Sequence, residues 1–315
     1  MKEPGLIVIF GATATGKTDL AIQIALHLKV PILNADSRQV YRYFDIGTAK
    51  PTLSERRGIP HYLIDIADPD HSLTLADYQS QAMELVWQFH QQKITPILVG
   101  GSGFYLKSIT HGVVIPAVPP QPDLRRQLDN LDQELAYQFL KQIDPDRAAV
   151  IHPKDRFRTN RALEIFYTTN QIPSQFGKCN PPDFPIYAIG LSPPPPEIYQ
   201  KRIEQRIFTM LDRGWLEEIK LIQSKFGKEL PLLNTLGYRE MSDYLQKKIT
   251  KEEAINQTIK STLQMAKQQK TWFKSPENLL PGTKWIDSNY DLLDLIHDLK
   301  DRQIHPCQDR THQAP

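Results

Sequence analysis

Cysteine is nearly absent: Cys179 and Cys307 are the only two in 315 residues. Two thiols cannot build a disulfide framework or a zinc cluster, and they suit a reducing compartment, so a cytoplasmic protein is expected. Long apolar runs are missing as well. No segment approaches the roughly 20 apolar residues that cross a bilayer, so no membrane partner is expected. The chain enters a buried-strand pattern at Leu6, which leaves no room for a signal peptide. An excess of one charge sign is also lacking. The formal net charge is only +2, so a nucleic-acid partner would have to be held by local basic patches. Hydrophobic residues at 40% and charged residues at 23% indicate a soluble fold, and the length suggests about two domains.

What is present is an alternation of strand and helix signals. The run Leu6–Phe10 (LIVIF) is followed by a helical pattern from Lys17 to Leu28. VPILNAD, HYLIDI, a helix over roughly 74–92 and TPILVGG come next. Short apolar runs separated by helices predict buried parallel strands covered by helices. Pro116, Pro119, Pro120 and Pro122 break the rhythm, and helical patterns follow over 123–142, 145–151 and 156–169. Residues 116–182 therefore read as an all-helical insertion domain, with 1–115 and 183–300 forming the α/β core. FPIYAIGL (184–191) resumes the sheet. Helices are expected over about 195–225, 238–246 and 251–274, and Trp285–Asp287 as an edge strand. Residues 301–315 lack apolar periodicity and read as a disordered tail.

Between the first strand and the first helix lies GATATGKT, residues 11–18. It fits G-x-x-x-x-G-K-[ST] in the strand–loop–helix context that gives the motif its meaning. The backbone N–H groups of Gly11, Ala12, Thr13, Ala14, Thr15 and Gly16, together with the helix N-terminus, are suited to cradle phosphate. Lys17 adds a cation and the Thr18 hydroxyl a ligand for Mg²⁺. A P-loop NTPase-like fold binding a di- or triphosphate is predicted.

The second strand ends in Asn34-Ala35-Asp36-Ser37, where an open α/β sheet binds its ligands. Asp36 is placed to accept a proton from an attacking O–H or N–H, and equally to cap a turn or helix. The fourth strand runs into Gly100-Gly101-Ser102-Gly103. Glycine there would let a ligand approach the backbone, and Ser102 could hydrogen-bond substrate or merely cap the next helix. Asp65 is the nearest residue to a Walker-B acid, yet a structural carboxylate fits its position as well. No guanine-reading N-K-x-D is present. The residues alone leave two enzymes open: a small-molecule kinase, and a transferase whose loop holds a diphosphate leaving group. A switch without chemistry fits less well.

The loop is followed by NADSRQVYRYFDIGTAKP (34–51), PHYLIDIADP (60–69) and ILVGGSGFY (97–105), and further on by DPDRAAVIHPKDRFRTNRALEIF (144–166), LGYREM (236–241) and MAKQQKTWFK (265–274). In order and spacing these blocks resemble the tRNA dimethylallyltransferases of bacterial type, from residue 5 to about 290. Adenylate isopentenyltransferases share the loop and the aspartate but would not need the insertion.

The resemblance implies that the loop binds the diphosphate of dimethylallyl diphosphate. It also implies that the acceptor is N6 of the adenosine 3′ to the anticodon, position 37, and that the protein acts as a monomer with Mg²⁺. Asp36 then matches the general base, Ser102 a threonine contacting the same amine, and Arg206 an arginine binding the donor. Asp36, Ser37, Arg38 and Gln39 would line the entrance for a base splayed out of the anticodon loop. Arg158 and Arg161 match RNA-contacting positions and, at i and i+3, share a helix face. Lys260, Lys267, Lys270 and Lys274 form a stripe beside the apolar positions Ile255, Ile259, Ala266 and Phe273. Such a stripe alone is commonly a solvated face, but with a tRNA substrate implied it reads as phosphate contacts. The chain departs from the family pattern at Ser102 (for threonine), Phe157 (for glutamine), and Leu263 and Gln268 (for arginines). It also lacks the zinc-finger extension of nuclear-encoded eukaryotic relatives.

Overall fold

The computed structural model describes residues 4–116, 118–176, 178–287 and 289–301. Six strands form one sheet in the order β3-β2-β4-β1-β5-β6. They are β1 (Leu6–Gly11), β2 (Ile32–Asn34), β3 (His61–Tyr62), β4 (Ile97–Gly100), β5 (Ile186–Leu191) and β6 (Lys284–Ile286). Every pairing in it is parallel. The sheet is flanked by helices α1 (Lys17–Leu28), α2 (Leu75–Gln91) and α3 (Gly103–Thr110), then by those of the second half of the chain. All six residues of β1 are buried, as expected of a central parallel strand that must be apolar on both faces.

The strand order places the site. β4 sits between β1 and β2, with Val8 opposite Leu98 and Leu33 opposite the same residue. The loops after β1, β2 and β4 therefore emerge side by side at the carboxyl ends of neighbouring strands, although the chain visits them far apart. HYLIDI is strand only at its first two residues. Leu63 and Asp65 take positive φ values of 62° and 56°, which no strand accommodates.

Residues 122–169 form four helices: α4 (Pro122–Asn130), α5 (Gln133–Ile143), α6 (Pro145–Val150) and α7 (Arg156–Thr169). The single helix expected over 123–142 is two, because Asp132 caps a new one. Its carboxylate accepts the amides of Glu134 (2.9 Å) and Leu135 (3.2 Å). These helices own a separate apolar cluster, including Leu128, Leu140, Ile151 and Leu163. The chain enters and leaves them side by side, through an antiparallel bridge between Val113 and Cys179.

The remaining α-helices among the described residues are α8 (Pro196–Asp212), α9 (Trp215–Phe226), α10 (Tyr238–Leu245), α11 (Lys251–Lys274) and α12 (Leu292–Asp301). The helix expected over 195–225 divides at Gly214, whose φ of 94° ends one helix and starts the next. α11 opens with a capping box between Thr250 and Glu253. Its most buried residues are Ala254, Thr258, Thr262, Ala266 and Phe273, whereas Ile255 and Ile259 are half-buried. α12 extends order beyond the expected edge strand and ends at Asp301; the rest of the expected tail lies outside the described residues.

Candidate active site

α1 begins after Gly16, which has a φ of 90° and contributes no side-chain cap. The first-turn amides of α1 are therefore left for a ligand, at the positive end of the helix. The loop is braced from within. Thr15 Oγ1 and Lys17 Nζ both donate to the carbonyl of Ala12, at 2.8 and 2.6 Å. Burial, aided by Arg206 and opposed by Asp36, pushes the Lys17 ammonium down to about 7. Thr18 is exposed and faces a cavity of about 650 Å³.

Asp36 sits two residues beyond β2. Its Oδ1 accepts the amide of Arg38 at 2.8 Å and, more weakly, that of Gln39 at 3.4 Å. The capping reading of this residue is therefore realised through one oxygen, while the carboxylate also faces the cavity that Lys17 and Thr18 line. Across the neighbouring strand end, Ser102 Oγ accepts the Ser37 amide at 2.9 Å and lies 3.2 Å from Ser37 Oγ. Ser102 stands at the N-cap of α3 but makes no side-chain cap there, so its hydroxyl serves the β2 turn instead.

Protein neighbours call for glycine at 100 and 103, although Gly100 and Gly101 also line the larger cavity. A Cβ on Gly100 would lie 2.0 Å from the Ala35 carbonyl oxygen, and one on Gly103 would meet the Trp272 ring at 2.6 Å. At both positions the space of a Cβ is taken by protein. Asp65, the alternative Walker-B acid, instead receives Lys50 Nζ at 2.5 Å, and that buried lysine also donates to Asp45 and to the Tyr41 carbonyl. It is a structural carboxylate.

A second cavity, of about 390 Å³, opens on Ser37, Arg38 and Ser102. The two cavities share Thr13, Lys17, Asp36, Gly101 and Arg206. Arg206 is no solvated helix charge. It is half-buried, its Nη2 reaches the Thr48 carbonyl at 3.5 Å, and its charge is felt by both Lys17 and Asp36. Gln39 is buried with Nε2 on the Thr48 and Ala49 carbonyls, and it lines the larger cavity but not the smaller one.

Four residues that sequence reasoning missed complete the site. Glu218 accepts the consecutive amides of Asp45, Ile46 and Gly47 and the Tyr238 hydroxyl, at 2.6 to 3.1 Å. It thereby fixes the loop that presents Thr48. His61 has Nδ1 on the Ile59 carbonyl at 2.8 Å, so Nε2 is an acceptor; it is buried without a partner at the wall of the larger cavity. Tyr199 donates to the Thr13 carbonyl and Gln269 accepts the Thr13 amide. Glutamine in MAKQQK and tyrosine in PEIYQKR give no local signal of this.

The expected RNA-contacting residues differ in their surroundings. Lys260, Lys267, Lys270 and Lys274 are all exposed on α11, and Lys274 Nζ lies 5.6 Å from the centroid of Trp285. Arg158 is exposed beside Asp155. Arg161 is engaged by protein: it bonds Glu164 at 2.5 Å and the Val118 carbonyl at 2.9 Å. Burial works against ionisation of Glu164, but Arg125, the Gln121 amide and Arg161 hold it down to about 2. Arg161 thus ties α7 to the entry segment of the helical insertion.

For a metal, the described residues hold no cluster of three or more His, Cys, Asp or Glu ligands. Thr18, exposed at the cavity, suits a Mg²⁺ that keeps its waters and arrives with a diphosphate, the habit of that ion. Among the described residues no helix is long and apolar enough to cross a membrane.

The family model described as IPP transferase matches residues 39–276. A tRNA dimethylallyltransferase of Acaryochloris marina is 52% identical over 305 residues, covering 96% of this chain and 99% of that one. One from a Picosynechococcus species is 51% identical, covering 92% and 96%. The crystal structure of a full-length tRNA isopentenylpyrophosphate transferase from Bacillus halodurans superposes with a TM-score of 0.68 at 33% identity, covering 96% of each chain. A eukaryotic dimethylallyltransferase described as acting on tRNA gives 0.77 at 28% identity, covering 98% of this chain and 81% of that one. With this fold, this loop and this carboxylate in one cleft, the chain belongs to the IPP transferase family and is an enzyme of its tRNA dimethylallyltransferase class.

Proposed function

We propose that this enzyme transfers the dimethylallyl group of dimethylallyl diphosphate to N6 of the adenosine at position 37 of tRNA, as a cytoplasmic monomer. The observation that carries the reading is the seam between two cavities, where Asp36, Lys17 and Arg206 stand together. The larger cavity receives the donor, and the smaller one a base splayed from the anticodon loop.

The loop amides and the N-terminus of α1 bind the diphosphate. Lys17, released from the Ala12 carbonyl, and Arg206 neutralise it. Mg²⁺ held by Thr18 would add charge stabilisation to the leaving group. The exocyclic amine is a poor nucleophile, because its lone pair is delocalised into the ring. Asp36 hydrogen-bonds its N–H, and Ser102 with Ser37 orients it. As the N6–C1 bond forms, the C1–O bond breaks, diphosphate leaves with the electron pair, and the N6 proton passes to Asp36. The helical insertion, with Arg158 exposed on α7, and the lysine stripe of α11 hold the anticodon stem-loop through phosphate contacts.

Steady-state assays test the donor assignment. Prenyl transfer should proceed without ATP and without ATP hydrolysis, and inorganic diphosphate should compete with the donor. Phosphorylation of a small hydroxyl acceptor at the expense of ATP, without prenyl transfer, would overturn it.

A further inference from the structure

The donor loop does not hold its shape alone. Ala14 carries a φ of 57°, a left-handed conformation that L residues with a Cβ adopt at a cost. The peptide groups just before it are tied from two helices. From α8, the Tyr199 hydroxyl donates to the Thr13 carbonyl at 2.5 Å. From α11, Gln269 Oε1 accepts the Thr13 amide at 2.8 Å, while Nε2 of the same side chain donates to the Gly101 carbonyl at 2.9 Å. One amide group therefore bridges the donor loop to the turn that carries Ser102. A Cβ on Gly101 would lie 2.9 Å from that nitrogen, so the turn is shaped to admit it.

Gln269 lies between Lys267 and Lys270 in sequence, and both lysines are exposed on the same helix. Its side chain lines the smaller cavity with Ser102 and Arg206. A load placed on α11 from its lysine side reaches the Thr13 and Gly101 peptides through the side-chain amide of Gln269.

We propose that Gln269 is a positioning residue that couples the two substrates: RNA seated against α11 sets the donor loop through Gln269, so that bound RNA tightens the grip on the donor. The inference rests on the tRNA reading of the α11 lysines given above. Coupling of this kind is reciprocal, so the donor must tighten RNA binding by the same factor. Tyr199, which holds the same residue from α8, stabilises the loop without carrying the coupling.

The test measures the dissociation constant of dimethylallyl diphosphate with Mg²⁺, in the absence and in the presence of a saturating anticodon stem-loop. The stem-loop carries purine in place of the target adenine, so that it lacks the N6 amine and cannot react. In the wild-type enzyme RNA should tighten donor binding by roughly 5- to 150-fold, the usual span of such couplings. Gln269→Leu should bring this ratio to about one. Gln269→Asn, one methylene too short to reach both peptides, should do the same and serves if the leucine variant does not fold. Tyr199→Phe should weaken donor binding in both states and leave the ratio unchanged, which a general loosening of the site by the Gln269 changes would not reproduce. A wild-type ratio of one, or a ratio that survives both Gln269 changes, would overturn the coupling. Failure of the wild-type enzyme to bind the donor or the stem-loop at all would instead sink the proposed function.

Discussion

Ser102 Oγ lies 2.9 Å from the backbone nitrogen of Ser37 and accepts its hydrogen, so the turn after β4 and the turn after β2 are fastened at the residue next to Asp36. The position of the carboxylate is therefore set by a neighbouring strand. Ser102→Ala removes this bond and should lower the rate of prenyl transfer roughly 3- to 10-fold, the range of one neutral hydrogen bond. Ser102→Thr keeps the hydroxyl and should stay near the wild-type rate. Single-turnover kinetics at saturating donor check both, and equal losses in the two variants would count against the hydroxyl.

Asp36→Ala removes the acceptor for the N6 proton. Its single-turnover rate should fall by about 10²–10⁴-fold, the usual effect of deleting an acid–base group. Donor affinity should change little, because the diphosphate is held by the loop. A near-normal rate in this variant would reject the role.

Lys17 is pushed down to about 7 while its amine donates to the Ala12 carbonyl. Below that pH it is already charged; above it, it is largely neutral in the free enzyme. A bound diphosphate favours the charged form and raises the proton affinity of the amine. Donor binding should therefore take up a proton at pH 8 and much less at pH 6, and affinity should fall as pH rises through 7. Calorimetry in buffers of different ionisation enthalpy measures the uptake. Its absence at pH 8, or its persistence in Lys17→Met, would contradict this account.

The helical insertion should be sensitive to acid through Glu164. Its folded value of about 2 lies below that of an unfolded chain near 4.5, so the stabilisation is complete above about 4.5 and is lost as pH falls toward 2. Glu164→Ala strands Arg125 and Arg161 and should cost roughly 2 kcal/mol or more. Arg161→Ala should also destabilise this unit, so Arg158→Ala is the cleaner probe of RNA contact. It should weaken tRNA binding and flatten its salt dependence while leaving the melting temperature unchanged.

The loop between β1 and α1 and the strand ends at Asp36 and Ser102 were legible because each is a local pattern: an apolar run, then small or acidic residues. The period of Leu292, Leu295, Ile296 and Leu299 in α12 is local too, though it adjoins a polar stretch that hides it. Gln269 was not legible, because its partner Thr13 lies 256 residues away and a helical glutamine is solvated unless tertiary structure brings a peptide to it. Arg161 shows the converse. Its spacing from Arg158 is that of a shared face, but the buried carboxylate of Glu164 one turn on claims it. The helix break at Asp132 could have been read, since Asp before Gln-Glu is a capping signal in its own right.

The most direct measurement follows radiolabel from dimethylallyl diphosphate into unmodified tRNA and, separately, into AMP, at low and high salt. Label should enter tRNA alone, at N6 of adenosine 37, with transfer at limiting tRNA falling steeply as salt releases the phosphate contacts. Label entering AMP at least as well as tRNA, without dependence on salt, would contradict the central claim and assign the enzyme to free adenylates.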